Sequence, residues 1–155
     1  MNITNKYSNK ITHLLRYRND SILISSKTLN LDNPKLTCRI NGLLKFSPKR
    51  IILDRKLSIK KNSFIFLTAK YKNTVIFYNK GKKNKIKQLK KKGIKLIRLQ
   101  VNDNNLFDLK LILKKIFLLG CRNLLVEGGK KLTKNFLDNK LFNQFYLLKS
   151  PNKLG

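Results

Sequence analysis

Short apolar runs alternate with amphipathic segments along almost the whole chain, and this alternation restricts the fold more than any other feature. Runs of strand length occupy 21–26, 49–54, 63–69, 73–79, 94–101, 123–129 and 142–151. Helical spacing of apolar residues is seen over 4–18, 80–93, 105–120 and 130–140. Strands that alternate with helices predict an α/β fold, in which helices cover both faces of a mostly parallel sheet.

Two boundaries are marked by local sequence signals. The segment 29–37 contains Asp32-Asn33-Pro34, which is strong turn chemistry, so the sequence predicts a loop there. Gly120 closes the apolar repeat of 105–120 and is predicted to end that helix. In the lysine-rich helix over 80–93, Ile86 and Leu89 are expected to face inward.

The charge balance allows two interpretations. The chain of 155 residues has 36 Lys and Arg against 7 Asp and Glu, a net charge of +29, which suggests a polyanionic partner. Of these cations 29 are Lys, and Asn and Ile are also abundant; A/T-rich codons would produce this composition without any nucleic-acid function. The lysines are scattered along the chain rather than interleaved with aromatic residues, which favours the second interpretation.

The remaining composition argues against several other classes. Cys38 and Cys121 are the only cysteines and His13 the only histidine, so a metal cluster is not expected. A reduced, cytoplasmic chain is the simplest interpretation. No apolar stretch reaches the ~20 residues of a membrane span, and the first ten residues lack a signal-peptide core.

The only glutamate of the chain, Glu127, follows an apolar run and precedes Gly128 and Gly129, and it is predicted to lie at the carboxyl end of a central strand. A strand, a glycine turn and a helix together form a geometry that can bind phosphate, because the glycines let a ligand approach the backbone and the helix presents free N–H groups. Lys130 and Lys131 would add positive charge in the first helical turn. The alternative is an ordinary tight turn with a solvated glutamate.

A second polar group surrounds the predicted loop. Arg16, Thr28, Asp32 and Arg39 lie at or beside the ends of predicted elements. The guanidinium fork matches phosphate oxygens, so two arginines here suit a phosphorylated ligand. The alternative is a surface ion pair, such as Arg16 with Asp20, which would contribute little.

Five motifs in a fixed order resemble one known family. They are "LLR" at 14–16, "TLNLDNPKLTCR" at 28–39, "RIILDR" at 50–55, "VEGG" at 126–129 and "PNKLG" at 151–155. Their order and spacing are similar to those of the reductase domain of the bacterial bifunctional riboflavin-biosynthesis deaminase/reductase. The agreement extends over nearly the whole chain and is more specific than any single motif.

The resemblance implies a fold like that of dihydrofolate reductase, with a mixed, mostly parallel sheet flanked by helices. It implies that 5-amino-6-(5-phosphoribosylamino)uracil is reduced to the ribitylamino form, with hydride passing from NADPH to C1′ of the opened sugar. By position, the substrate contacts would be Arg16, Leu36, Arg39 and Glu127. The NADPH contacts would be Thr28, Asp32, Gly129, Lys130, Lys131, Leu132, Thr133, Lys134 and Asn135. No catalytic residue is assigned, and no metal or membrane is implied; the family is commonly dimeric, so a homodimer is expected.

The chain departs from the family pattern in several places. Arg55 replaces a serine near the cofactor, where it would either reach a cofactor phosphate or block the site, and Asn2 replaces an aromatic residue. The first strand and the final strands of the family pattern are missing, as are the zinc-deaminase motifs H-x-E and P-C-x-x-C. The sequence therefore predicts a single partial reductase domain over 1–155, without a deaminase domain. An inactive reductase remnant and a basic, non-enzymatic nucleic-acid-binding domain remain as alternatives.

Overall fold

A five-stranded sheet with helices on both faces forms the centre of the molecule. The computed structural model describes residues 6–70 and 73–148. The strands are β1 (Ser21–Ser25), β2 (Lys49–Leu53), β3 (Thr74–Tyr78), β4 (Lys95–Arg98) and β5 (Leu124–Val126), in the spatial order β4-β3-β2-β1-β5. Every pairing among the described strands is parallel, so the α/β prediction is confirmed, and these residues include no antiparallel strand of a mixed sheet.

Six α-helices accompany these strands in the described part of the chain. They are α1 (Lys6–Arg18), α2 (Ser26–Asp32), α3 (Phe64–Leu67), α4 (Lys83–Lys91), α5 (Leu109–Leu118) and α6 (Lys130–Asp138), with a 3-10 turn at Leu44–Phe46. None of them is long and apolar enough to cross a membrane.

Each strand contributes side chains to two apolar cores, one on each face of the sheet, because successive side chains of a strand alternate in direction. Ile22, Ile24, Ile52 and Ile76 are fully buried on one face, where they pack with Leu89 of α4. Leu23, Ile51, Val75 and Phe77 are buried on the other face against α5 and α6. Burial on both faces explains why these strands read as continuous apolar runs.

The segment 63–69 was predicted as a buried strand, and this prediction is wrong. Ser63 caps the short helix α3, since its hydroxyl accepts a hydrogen bond from the Phe66 amide. Ile65 and Phe66 are buried, so the apolar run does enter the core. Apolar runs of this length do not distinguish a strand from a helical turn.

The loop prediction over 29–37 is also wrong in its first part, because α2 extends to Asp32. The Ser25 hydroxyl accepts from the Thr28 amide and caps the helix, while Leu29 anchors it in the core. The predicted turn chemistry acts at Asn33, which adopts φ 42° and ends the helix, so the loop begins at 33 and not at 29.

The other boundaries differ less from the predictions. The helix predicted over 105–120 begins at Leu109 because Asp108 caps it, and Gly120 adopts the expected positive φ of 79°. Ile86 and Leu89 of α4 face inward, as predicted. The strand predicted over 142–151 is absent from 142–148, whereas 149–151, the motif at 151–155, Asn2 and the helix start at 4–5 lie outside the described residues.

Candidate functional site

Glu127 directly follows β5, at the carboxyl edge of the sheet. Its backbone N–H donates to the Leu23 carbonyl at 3.0 Å, which extends the pairing of β5 with β1 by one residue. Ligands of parallel sheets bind at this edge. The prediction that the strand before Glu127 is central is wrong: within the described sheet β5 pairs with β1 alone and is an edge strand.

The carboxylate of Glu127 forms a two-pronged ion pair with Arg16 of α1. Arg16 Nε donates to Oε1 at 2.8 Å and Nη2 donates to Oε2 at 2.7 Å. The side chains are 10% and 25% exposed, so the pair is largely shielded from water. The suggested pairing of Arg16 with Asp20 does not form; Asp20 accepts the backbone N–H groups of Arg122 and Asn123 instead.

A chain of hydrogen bonds leads from this ion pair to Arg39. Nη1 of Arg16 donates to the Thr37 carbonyl at 3.2 Å, and that carbonyl also lies 3.1 Å from Nδ1 of His13. Arg39 Nε donates to Nε2 of the same imidazole at 3.2 Å. Three of the four predicted substrate contacts, Arg16, Arg39 and Glu127, are therefore connected through His13 and Thr37.

His13 was considered in the sequence only as a potential metal ligand. It is 91% buried, with a relative exposure of 9%. Its pKa is lowered from 6.5, first by burial and then by the positive charges of Arg16 and Arg39. The H-x-x-R spacing at 13–16, which places both side chains on one face of a helix, is the signal that could have revealed it.

Leu36, the fourth predicted substrate contact, has its side chain in the core with 1% exposed. Only its backbone could meet a ligand. That backbone has φ 55°, a conformation that non-glycine residues rarely adopt and that is enriched at functional sites.

Thr28 and Gly129 bring two turns together at the carboxyl edge. A Cβ added to Gly129 would lie 3.3 Å from the Thr28 hydroxyl oxygen, so the first turn of α2 lies close to the turn between β5 and α6. The Thr28 hydroxyl is itself 3.1 Å from that of Ser25. Two residues predicted to bind the cofactor, far apart in sequence, are thus neighbours.

Asp32 lies one helical turn beyond Thr28, on the same face of α2. It is the last residue of the helix and is exposed to solvent. A carboxylate at a helix C-terminus opposes the helix dipole, so the helix itself does not favour Asp32 there. This position is compatible with a ligand-binding role.

The predicted cofactor residues of α6 differ in what they can offer a ligand. Gly129 precedes helix α6 and offers no side-chain cap, so the backbone N–H groups of Lys130 and Lys131 are available to an anion. The Leu132 side chain is buried, the Thr133 hydroxyl donates to the Gly128 carbonyl, and Lys134 pairs with Asp138. The exposed positions at the start of the helix are Gly129, Lys130 and Lys131, whereas Asn135 is half-buried.

A basic cavity of about 360 Å³ lies further along the same edge, and the sequence did not reveal it. It is lined by Tyr78, Asn79, Lys80, Gly81, Ile86 and Arg98, at the carboxyl ends of β3 and β4. Arg98 Nε donates to the Asn79 carbonyl at 3.1 Å, which holds the guanidinium at the cavity wall. Arg55, the residue that departs from the family pattern, donates instead to the Asn105 carbonyl.

A larger cavity of about 470 Å³ lies at the opposite edge, where Asp20, Pro48 and Lys49 precede or begin β1 and β2. This is the amino edge of the parallel strands, away from Glu127 and Thr28. The chemistry-bearing residues therefore identify the carboxyl edge as the candidate site, although its cavity is smaller. The described residues contain no group of three or more His, Cys, Asp or Glu side chains that could hold a metal ion.

Residues 1–155 match the RibD C-terminal domain family. The chain belongs to this family. Among its relatives is the riboflavin biosynthesis protein RibD of Aquifex aeolicus, which is 33% identical over 153 residues, or 99% of this chain. The match covers 41% of that relative, so the chain spans about two-fifths of its length.

Solved structures of the family have the same fold. RibD of Acinetobacter baumannii aligns with a TM-score of 0.74 at 19% identity, over 96% of this chain and 41% of that one. A diaminohydroxyphosphoribosylaminopyrimidine deaminase/5-amino-6-(5-phosphoribosylamino)uracil reductase of Thermotoga maritima aligns with a TM-score of 0.63 at 26% identity, over 88% of this chain and 35% of that one. The family resemblance and the fold class expected from the sequence are confirmed.

Proposed function

We propose that residues 1–155 form a reductase domain that converts 5-amino-6-(5-phosphoribosylamino)uracil to its ribitylamino form with NADPH. The observation that carries the proposal is the proximity of Thr28 to Gly129, beside the Arg16–Glu127 ion pair. This arrangement brings the predicted substrate-binding residues and the predicted cofactor-binding residues together at one edge of the sheet. The name of the Thermotoga maritima relative, which includes this uracil reductase activity, supports the same assignment.

The residues present fit a nicotinamide dinucleotide. The uncapped start of α6 and the bare backbone of Gly129 suit a pyrophosphate, which needs amide donors and close approach. The Thr28 hydroxyl and the exposed Asp32 carboxylate suit ribose hydroxyl groups. When bound, the nicotinamide supplies the electron pair and the hydrogen that reduce the sugar carbon.

The basic cavity favours NADPH over NADH. Lys80 and Arg98 line it at the ends of β3 and β4, and no acidic side chain is among its lining residues. Neighbouring strands are about 4.8 Å apart, and three such spacings separate β1 from β4, so the distance between these two strands is about 14 Å. An extended dinucleotide held at Thr28 and Gly129 would reach this cavity with its adenosine end, and the two cations would bind its additional phosphate.

Arg39 and Glu127 would bind different parts of the substrate: Arg39 its phosphate, and Glu127 its N–H or O–H groups. Arg39 is exposed, so its guanidinium can meet a phosphate from solvent. Arg16 already donates three hydrogen bonds within the protein, and its main effect is to orient Glu127. Both oxygens of Glu127 keep a lone pair for N–H or O–H groups of the substrate.

Cofactor binding is tested by the thermal unfolding of the purified chain with increasing NADPH. A ligand at about 100 times its Kd stabilises the folded state by about 2.7 kcal/mol, so the melting temperature should rise. The Thr28→Ala variant should need more NADPH for the same rise, whereas Lys91→Ala, at the far end of α4, should behave like the wild type. An unchanged melting temperature at millimolar NADPH would contradict the proposal.

The homodimer remains a prediction, for which sedimentation of the same sample is the measurement.

A further inference from the structure

His13 is the only histidine of the chain, and its contacts connect the two arginines of the candidate substrate site. Nε2 faces the Nε–H of Arg39 at 3.2 Å, and Nδ1 faces the Thr37 carbonyl at 3.1 Å. The backbone N–H of Arg39 also lies 3.2 Å from Nδ1. These three neighbours determine which nitrogen carries the proton.

A guanidinium can only donate, so the Nε2 that faces it must be an unprotonated acceptor. The proton then lies on Nδ1, where it donates to the Thr37 carbonyl, and the Arg39 backbone N–H loses Nδ1 as an acceptor. In the opposite tautomer, Nε2–H would face the Arg39 Nε–H, and an Nδ1 lone pair would face a carbonyl oxygen. That tautomer would gain only a hydrogen bond from the Arg39 backbone N–H, which is a neutral donor. A hydrogen bond from a charged donor such as the guanidinium is about twice as strong as a neutral one.

We infer that His13, as a neutral imidazole with its proton on Nδ1, positions the guanidinium of Arg39 to receive the phosphate of the substrate. His13 is buried whereas Arg39 is exposed, so the imidazole is a fixed support behind a solvent-facing cation. The Thr37 carbonyl is also bound by Arg16, which is held by Glu127. The support is therefore fixed at both of its nitrogens.

Protonation would remove this support. An imidazolium donates at both nitrogens, so Nε2 could no longer accept from Arg39, and its charge would repel Arg39 and Arg16. The charged groups that face the ring are Arg16 and Arg39, which lower its pKa, and Glu127, which raises it; burial makes the largest contribution and lowers it. The lowered pKa favours the neutral imidazole at pH 7.

The tautomer and the pKa can be measured without any ligand. Because the chain has one histidine, the imidazole ¹⁵N signals of the full chain are unambiguous. We expect the Nδ1–H form at pH 7, a pKa below 6.5, and a rise of that pKa in Arg39→Ala. An Nε2–H form, or a pKa that Arg39→Ala leaves unchanged, would overturn the inference.

A second measurement tests the consequence for binding, and it rests on the proposed function. Isothermal titration with 5-amino-6-(5-phosphoribosylamino)uracil should show a Kd about tenfold higher for His13→Phe than for the wild type, equal to about 1.4 kcal/mol. His13→Gln keeps an acceptor that cannot be protonated, so it should recover most of the affinity for the uracil compound. For the same reason, its binding of this compound should weaken less than that of the wild type between pH 7 and pH 5. The phosphate of the ligand titrates in the same pH range, but its titration is the same for every variant. The ratio of the Kd of the wild type to that of His13→Gln therefore isolates the effect of His13 protonation.

The two proposals fail in different ways. Equal Kd values for wild type and His13→Phe, or parallel pH profiles for wild type and His13→Gln, would overturn the positioning role while the reductase assignment stood. If the wild type did not bind the uracil compound, the proposed function would fail, and with it the role of His13 toward this substrate. His13→Phe should keep the wild-type affinity for NADPH; a parallel loss of NADPH binding would indicate a general folding defect and would also overturn the inference.

Discussion

Arg16 and Glu127, 111 residues apart in the chain, form a two-pronged ion pair with N–O distances of 2.7 and 2.8 Å. The pair joins α1 to the end of β5 and holds the carboxylate at the carboxyl edge of the sheet. This contact gives the single glutamate of a chain with 36 basic residues a structural role at this position. The carboxylate is held in place by a cation that is itself largely buried.

Replacing Glu127 by Gln should lower the free energy of unfolding by about 1.5–3 kcal/mol, because a charge-assisted bond to Arg16 is lost in a shielded position. The fold should be kept, and affinity for the uracil substrate should fall about tenfold more than affinity for NADPH. Urea unfolding and titration measure the two effects. The exposed pair of Lys134 with Asp138 provides the control, since Asp138→Asn should cost less than about 0.5 kcal/mol. Equal costs at the two sites would show that the Arg16–Glu127 pair contributes no more than a surface contact.

The two glycines after Glu127 should respond differently to alanine. A Cβ at Gly128 would lie 2.8 Å from the Leu132 Cβ, so Gly128→Ala should displace α6 and cost about 1–3 kcal/mol of stability. At Gly129 the backbone has φ −70°, which alanine adopts freely, and the added Cβ meets only the Thr28 hydroxyl at 3.3 Å. Gly129→Ala should therefore stay folded and lose NADPH affinity, and Gly129→Val should lose more. Thermal melting with and without NADPH distinguishes these outcomes, and a Gly129→Val protein with wild-type affinity would argue against a cofactor at this turn.

Arg39 and Thr28 should show opposite ligand preferences. Arg39→Ala removes a charge-assisted contact to phosphate, so binding of the uracil substrate should weaken by about 1.5–3 kcal/mol while NADPH binding is kept. Thr28→Ala should weaken NADPH and leave the substrate largely unaffected. Arg18→Ala, at the exposed end of α1, is the matched control for loss of a positive charge. If Arg39→Ala and Thr28→Ala weakened both ligands equally, a folding defect would be the better explanation.

Arg98 should determine the choice between the two nicotinamide cofactors. Arg98→Gln removes one of the two cations of the cavity at β3 and β4, so the Kd for NADPH should rise about tenfold while that for NADH stays constant. Fluorescence titration with both cofactors gives the ratio, and Lys91→Gln controls for the loss of one charge. A parallel change for NADPH and NADH would place the additional phosphate elsewhere.

The strands of the fold could largely be predicted, because β1, β2 and β3 are buried on both faces and therefore read as apolar runs. The helix α3 could not, since its apolar residues have the length and composition of a strand and only the Ser63 cap distinguishes it. The turn at Asp32-Asn33-Pro34 was recognised, but the Ser25 cap that starts α2 was not.

The sequence predicted individual residues of the candidate site but not how they are arranged in space. Individual residues such as Thr28 and Gly129 follow from the order of the motifs, whereas their proximity depends on the parallel pairing of β1 with β5. The edge position of β5 and the cavity at Arg98 are likewise properties of the assembled sheet. His13 was overlooked because its partners, Thr37 and Arg39, come from a different segment of the chain.

The most direct test of the central claim is the oxidation of NADPH, followed by its absorbance, when the purified protein is mixed with 5-amino-6-(5-phosphoribosylamino)uracil. We predict NADPH consumption that requires the uracil compound, yields its ribitylamino form in equal amount, and falls strongly in Glu127→Gln. A wild-type protein that binds both compounds yet consumes no NADPH, or a Glu127→Gln protein with the full wild-type rate, would contradict the account.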